Sequence, residues 1–257
     1  MRQTAPLPTN CYLCSVKTIL ITLWKVWIVC VFFTLFALLF PWLCLSLFVF
    51  RSLRVALAIQ RFWGSIILLL GGIPFTTKWE EKPKRGQAYV VCCNHASYLD
   101  IILPFCFWPF HFHFLAKKEH AEAPFFGLLF RTMHIPIDRS NPMKAAKALE
   151  RAEADLRDGI TIFVFPEGTI SPNAPDMLPF KNGAFKLAID AQVPIIPITF
   201  ANSWRILPDY RKSKRTGTLG LSKVIIHKPI DTIGMTDDNI NELRNLVYQK
   251  IDSSLER

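Results

Sequence analysis

The chain has 257 residues, 51% of them hydrophobic, with 21 Phe and 7 Trp, enough for one globular domain with a sizeable core and an attachment. Its formal charge of +10 calls for an anionic partner, either nucleic acid or anionic lipid. An odd number of cysteines, 7, several of them in apolar runs, argues against a disulfide framework and for a reducing, cytoplasmic setting; Cys11-x-x-Cys14 lacks the second ligand pair of a zinc site.

The N-terminus decides between the two partners. Residues 26–50 carry no charge, and about 20 apolar residues in helix cross a bilayer core. The run is too long for a signal-peptide core, and no small-residue cleavage site follows it. Membrane lipid is therefore the expected partner, and nucleic acid is not. Pro41 interrupts the run and marks a kink or a hairpin tip. A second apolar stretch, residues 62–74, is too short to span alone and reads as an interfacial or re-entrant helix. Arg2, Lys17 and Lys25 precede the long run, and Arg51, Arg54 and Arg61 follow it. Positive charge on both sides gives no orientation, and suits a kinked hairpin dipping into one leaflet better than a single span. The expected division is a membrane-associated two-helix segment, residues 1–75, and an α/β domain, residues 76–257.

Residues 77–86 read as a charged linker. Beyond them, strand-like runs at 87–93, 111–115, 161–165, 195–200 and 223–227 alternate with helical patterns at 98–107, 123–132, 142–157, 184–191 and 237–255. Such alternation predicts an α/β fold with a largely parallel central sheet flanked by helices.

Asn94-His95-Ala96-Ser97-Tyr98-Leu99-Asp100 follows the first of these strands. A neutral imidazole can take a proton near neutral pH, and a carboxylate on its other nitrogen fixes its tautomer. Residues five apart on one helix diverge by about 140°. The pair therefore meets only if His95 lies in the turn and Asp100 in the first helical turn, with Ser97 as a candidate N-cap. A capped turn with a hydrogen-bonded His is the competing reading. In Ile135-Pro136-Ile137-Asp138-Arg139, the Arg can grip a phosphate or pair with Asp138. In Phe165-Pro166-Glu167-Gly168-Thr169 a strand ends, and Gly permits a tight turn or close approach. Glu167 there could hold a substrate hydroxyl or an Arg, though a plain turn looks the same. Lys181, in Phe180-Lys181-Asn182-Gly183-Ala184, precedes a helix start that also favours anions, or is a solvated Lys. His111 and His113 share a strand face and read as polar-face histidines, with no third metal ligand by spacing.

In order, Asn-His-x4-Asp, Ile-Asp-Arg, Phe-Pro-Glu-Gly-Thr, Phe-Lys-x-Gly-Ala and Val193-Pro194-Ile195-Ile196-Pro197 resemble the motif series of the glycerolipid acyltransferases, in particular the bacterial 1-acyl-sn-glycerol-3-phosphate acyltransferases. The resemblance runs from about residue 87 to 200, and the segment Ala116-Lys117-Lys118-Glu119 fits it. The apolar N-terminal pair is similar to that family's two-helix membrane motif. The resemblance implies transfer of an acyl group from acyl-CoA or acyl carrier protein to a lysophospholipid, giving phosphatidic acid at the cytoplasmic face of the inner membrane. It implies no cofactor and no metal, and leaves the oligomeric state open. His95 would be the general base and Asp100 its orienter. Arg139 would bind the acceptor phosphate with help from Lys117 and Lys181. Glu167 and Gly168 would shape the acceptor site, and Thr169 would line it. Ile170 stands where the family usually has Arg, which opens another lysolipid, such as lyso-ornithine lipid, as acceptor. Two rivals are a hydrolase or ping-pong transferase using Cys92 or Cys93, and a non-catalytic lipid-binding protein. The basic run 211–215 could bind anionic headgroups or be a solvated loop.

Overall fold

The computed structural model describes residues 10–209, 211 and 216–257, with side chains from residue 16; Cys11, Cys14 and residues 212–215 of the basic run lie outside the described side chains. The chain opens with a helical hairpin. Helix α1 (Asn10–Cys44) continues into a five-residue π-helical segment (Leu45–Val49). The chain reverses at Arg51, whose φ is 48°, and returns as α2 (Leu53–Leu70), where the Ser52 hydroxyl accepts the Val55 N–H. Of the two readings of Pro41, the hairpin tip is corrected: Pro41 lies inside α1, and the tip falls ten residues later. A second expectation is corrected as well. The second apolar segment is not short, because α2 has 18 residues and is long and apolar enough to cross a membrane. Arg54 and Arg61 conceal its first half in the sequence. Arg61 donates to the carbonyls of Trp108 (2.8 Å) and Phe110 (3.3 Å), so its charge faces the domain. At the far end of α2, the indoles of Trp24 and Trp27 donate to the carbonyls of Gly71 (2.8 Å) and Leu70 (2.9 Å). They satisfy acceptors that a helix C-terminus leaves open.

After the hairpin come β1 (Phe75–Trp79), β2 (Val90–Cys93), α3 (Leu99–Phe107), β3 (Phe112–Lys117), α4 (Glu119–Glu122), α5 (Phe126–Met133), β4 (Ile135–Ile137), α6 (Pro142–Arg157), β5 (Thr161–Val164), α7 (Gly183–Asp190), β6 (Ile195–Phe200), α8 (Ser203–Ile206), β7 (Ser222–Ile226) and α9 (Ile240–Asp252). The sheet order is β1-β7-β6-β2-β5-β3-β4. Strands β6, β2, β5, β3 and β4 are parallel, and β7 meets β6 antiparallel and carries β1 beside it. This is the expected largely parallel α/β sheet. The charged-linker reading of residues 77–86 is corrected in part, since β1 is an edge strand. Its alternating half-buried and exposed residues, Lys78 among the exposed, suit an edge.

The sheet divides two cores. Val91 and Cys93 face one that includes Ile28, Leu57, Trp63, Leu103 and Trp108, so the hairpin and α3 cover this side. Val90 and Cys92 face the other, closed by α6, α7 and α9. Because five neighbouring strands run the same way, their carboxyl ends share one edge, where the crevices of open α/β sheets form.

Candidate active site

Four of the motifs found in the sequence sit on that edge, at the ends of β2, β5, β3 and β4. Asn94, just past β2, clamps the neighbouring strand: its side-chain amide donates to the Phe200 carbonyl (3.2 Å) and its carbonyl accepts the Phe200 N–H (2.8 Å). His95 follows in the turn and Asp100 in the first turn of α3, the arrangement the five-residue spacing demands. His95 Nδ1 lies 3.1 Å from Asp100 Oδ2. The same oxygen accepts the N–H groups of Ala96 (2.6 Å) and Ser97 (2.8 Å), and Asp100 is fully buried. A carboxylate holding those donors is an acceptor, so Nδ1 carries the imidazole proton and Nε2 presents a lone pair. The ring stacks on Phe165, with centroids 4.1 Å apart, and its side chain keeps 11% of its surface exposed.

Ser97 is not the N-cap, which is Tyr98. Its hydroxyl still accepts the first helical N–H, from Leu99 (3.1 Å), and donates to the Leu207 carbonyl (2.6 Å). A residue that sequence reading misses completes the pair: the buried Ser203 hydroxyl donates to Asp100 Oδ1 at 2.6 Å. Its sequence carries only a weak signal, its place at the end of a strand that pairs with β2.

Glu167 is buried at the end of β5 and ties the two halves of the site. Its Oε1 accepts the His95 N–H and its Oε2 the Leu178 N–H, each at 2.7 Å. Burial pushes its carboxyl up to about 7, helped by the charge of Asp100 and opposed by the two N–H bonds. Glu167 thus meets backbone donors, where the sequence suggested a substrate hydroxyl or an Arg.

A cleft of about 340 Å³ opens beside it, lined by Lys117, Lys118, Asp138, Arg139, Ser140, Gly168, Thr169 and Lys181, among others. All six residues expected to bind the acceptor, Lys117, Arg139, Glu167, Gly168, Thr169 and Lys181, line this one cleft. Asp138 pairs with Lys118 (3.0 Å) rather than with Arg139, whose Nη1 donates to the Gly168 carbonyl at 3.2 Å. Gly168 has φ 78°, and a Cβ there would meet Arg139 Nη1 at 2.0 Å and Lys181 Nζ at 3.3 Å. Only glycine allows the two cations to close over that turn. Lys118 and Ser140 are cleft residues that the motif pattern did not single out, although each adjoins one that it did.

Cys92 and Cys93 are fully buried in opposite cores. Burial drives both thiols far above their ordinary range, which disfavours the thiolate that a covalent mechanism needs. His111 and His113 do not form a polar face. His113 is buried and bonds Asp155 on α6 at 2.7 Å, and among the described residues no three His, Cys, Asp or Glu side chains group to hold a metal ion.

A sequence profile described as Acyltransferase matches residues 60–201. The 1-acyl-sn-glycerol-3-phosphate acyltransferase alpha of Ovis aries is 36% identical over 183 residues, covering 70% of this chain and 62% of that protein. The 1-acyl-sn-glycerol-3-phosphate acyltransferase of Cocos nucifera is 31% identical over 190 residues, covering 72% of this chain and 59% of that protein. The chain thus spans about three fifths of the length of these curated relatives. Among solved structures, the 1-acyl-sn-glycerophosphate (LPA) acyltransferase PlsC of Thermotoga maritima superposes with a TM-score of 0.72 at 24% identity, over 93% of this chain and 95% of that one. It shares the fold.

Proposed function

Because the chain belongs to the acyltransferase family, we propose that it moves a fatty acyl group from an acyl thioester to the free hydroxyl of a lysophospholipid. The acceptor is 1-acyl-sn-glycerol 3-phosphate and the product phosphatidic acid, made for phospholipid biosynthesis. The observation that carries this reading is the buried His95–Asp100 pair joined through Glu167 to a cleft lined with cations. His95 Nε2 takes the proton of the acceptor hydroxyl as its oxygen attacks the thioester carbon. Asp100 steadies the imidazolium. The C–S bond then breaks, and the proton passes from His95 to the leaving thiolate. A positioned base contributes about 10²–10⁴ in rate, and orientation of the hydroxyl adds to it. Arg139, with Lys117 and Lys181, holds the acceptor phosphate, while Gly168 and Thr169 shape the wall. The reaction uses no cofactor; acyl-CoA or acyl carrier protein enters as the donor substrate.

Residues 1–75 form the membrane-associated segment of this proposal and residues 76–257 the catalytic domain. The hairpin holds the domain on the cytoplasmic face of the inner membrane. Ile170, in place of the family's usual Arg, is buried, with 7% of its surface exposed. A cleft without that cation keeps a second reading open, a lysolipid such as lyso-ornithine lipid as acceptor. Purified protein given lysophosphatidic acid, lyso-ornithine lipid, lysophosphatidylethanolamine and glycerol 3-phosphate, each with both donors, tests both readings. Lysophosphatidic acid is expected to react fastest, and His95→Ala to abolish transfer. Undiminished transfer by His95→Ala would end the general-base proposal.

A further inference from the structure

We propose that the loop joining α4 to α5, together with the first turn of α5, is a second membrane contact, in which Phe125 and Leu128 enter the bilayer surface beside the hairpin. The inference rests on the reading that the hairpin itself lies in lipid, and extends that surface into the α/β domain.

Three observations converge on this loop. Phe125 is 70% exposed, and Leu128, three residues on in the first turn of α5, is 43% exposed. A single exposed apolar residue needs no explanation, but this one is also held against its backbone preference. Phe125 has φ 58° and ψ −53°, outside the regions that sterics allow a residue with a side chain. The loop is drawn tight behind it, since a Cβ on Gly127 would lie 2.3 Å from the Ala121 carbonyl oxygen. Strain of this kind persists where the surroundings over-determine it, and such sites cluster at functional places.

The loop is also continuous with the hairpin. The Phe125 ring stands edge-on to Phe40 of α1 with centroids 5.8 Å apart, and Phe126 lies 6.2 Å from Phe36. The inner side of α5, through Leu129 and Met133, shares a core with Leu43, Leu47 and Ala56. Phe33, two turns before Phe40 on the same face of α1, is 62% exposed. An aromatic and a leucine so placed extend one apolar face instead of interrupting water, and interfacial contacts of this sort combine apolar burial with aromatic anchoring. The other end of the segment is the cleft, because Lys117, Lys118 and Glu119 line it. One short stretch thus runs from the bilayer contact to the anion-binding cations. A lysolipid leaving the bilayer beside Phe125 would meet them without crossing open water.

The test uses the full chain in vesicles of phosphatidylcholine with a minor fraction of phosphatidylglycerol. A background of Cys11→Ser, Cys14→Ser, Cys30→Ser, Cys44→Ser and Cys106→Ser leaves only the two buried cysteines. Single variants Phe125→Cys, Leu128→Cys, Phe33→Cys and Lys147→Cys are labelled with the fluorophore NBD. Phe33 is an outward residue of α1 and Lys147 an exposed residue of α6 on the opposite side of the sheet. We expect labels at 125 and 128 to be quenched by lipids brominated on their acyl chains, and to resist aqueous iodide several-fold better than the label at 147. If the label at 33 is protected while those at 125 and 128 respond to iodide like 147, the loop proposal fails and the hairpin reading stands. If 33 is unprotected as well, the hairpin reading fails and the loop proposal falls with it.

Discussion

Both oxygens of Asp100 are engaged before any substrate arrives. Oδ2 receives His95 Nδ1 and two backbone N–H groups, and Oδ1 receives Ser203 at 2.6 Å. A hydrogen bond to a charged group contributes about 1.5–3 kcal/mol, and a buried acceptor left open costs a similar amount. Ser203 touches no reacting atom, so it is a positioning residue. Ser203→Ala should lower kcat by about tenfold, since a turned carboxylate misaligns the imidazole, and leave KM for the lysolipid nearly unchanged; Ser203→Thr should recover part of the loss. Steady-state kinetics in mixed micelles measures both. A rise in KM at constant kcat would instead assign Ser203 to the acceptor site. Glu167 yields a second prediction, from pH. Its folded carboxyl titrates at about 7, above the ordinary 4.5. A raised folded pKa favours the folded protein while the group is protonated. Its contribution is therefore full below the unfolded value and is lost as pH rises from about 4.5 through about 7, a change on the order of 3 kcal/mol. In Glu167→Gln this part of the pH dependence should vanish, although the mutant loses one of the two N–H bonds and is less stable at low pH. Thermal unfolding in micelles between pH 5 and pH 8 checks the slope, and a slope unaltered by Glu167→Gln would refute the assignment.

At the scale of the element, the site depends on strand ends being locked to one another. Asn94 makes two buried bonds to the backbone of Phe200, so Asn94→Ala should cost roughly 2–3 kcal/mol and reduce transfer by loosening His95 against Ser203. Gly168 acts on the other loop. Gly168→Ala places a methyl where Arg139 now sits. It should raise KM for a phosphate-bearing lysolipid by tenfold or more, with a smaller effect on kcat, and the same assay reads both parameters. These locks also explain what is legible in the sequence. The parallel strands are readable because both their faces are buried, which leaves uninterrupted apolar runs such as Tyr89 to Cys93. Residues acting through their neighbours in sequence, such as His95 with Asp100 or Arg139 after Ile137, come out with them. Ser203 does not, because its partner is 103 positions away and a serine after a strand has many uses. Strand β1 hides for the opposite reason to the core strands: at an edge its exposed residues are polar, and Lys78 makes it read as a linker. Helix α5 begins later than its pattern suggests because Pro124 and the positive φ of Phe125 hold the chain out of the helix.

For the whole molecule, the hairpin is part of the core and more than an anchor. Trp63 of α2 is 9% exposed and packs between Phe32 (4.8 Å) and Phe36 (5.6 Å) of α1. It belongs to the same cluster as Leu103, Trp108, Phe112 and Phe114 of the α/β domain. A membrane tether joined by a loose linker could be altered without consequence for the fold of the α/β domain; this hairpin should not behave so. Truncating a buried aromatic removes packing on all sides and costs about 3–5 kcal/mol. Trp63→Ala should therefore lower the unfolding temperature by about 10 °C in a domain of this size, and it should do so in detergent micelles, where no bilayer needs to be bound. Phe33 provides the contrast, because it lies on the same hairpin with 62% of its surface exposed. Phe33→Ser should weaken flotation with vesicles while leaving the micellar unfolding temperature within about 2 °C, the ordinary size of a surface substitution. The two variants separate the two duties of one element. Equal effects of both on unfolding, or no effect of Trp63→Ala, would mean that the α/β domain stands without the hairpin, and the shared core would then be a contact of docking alone.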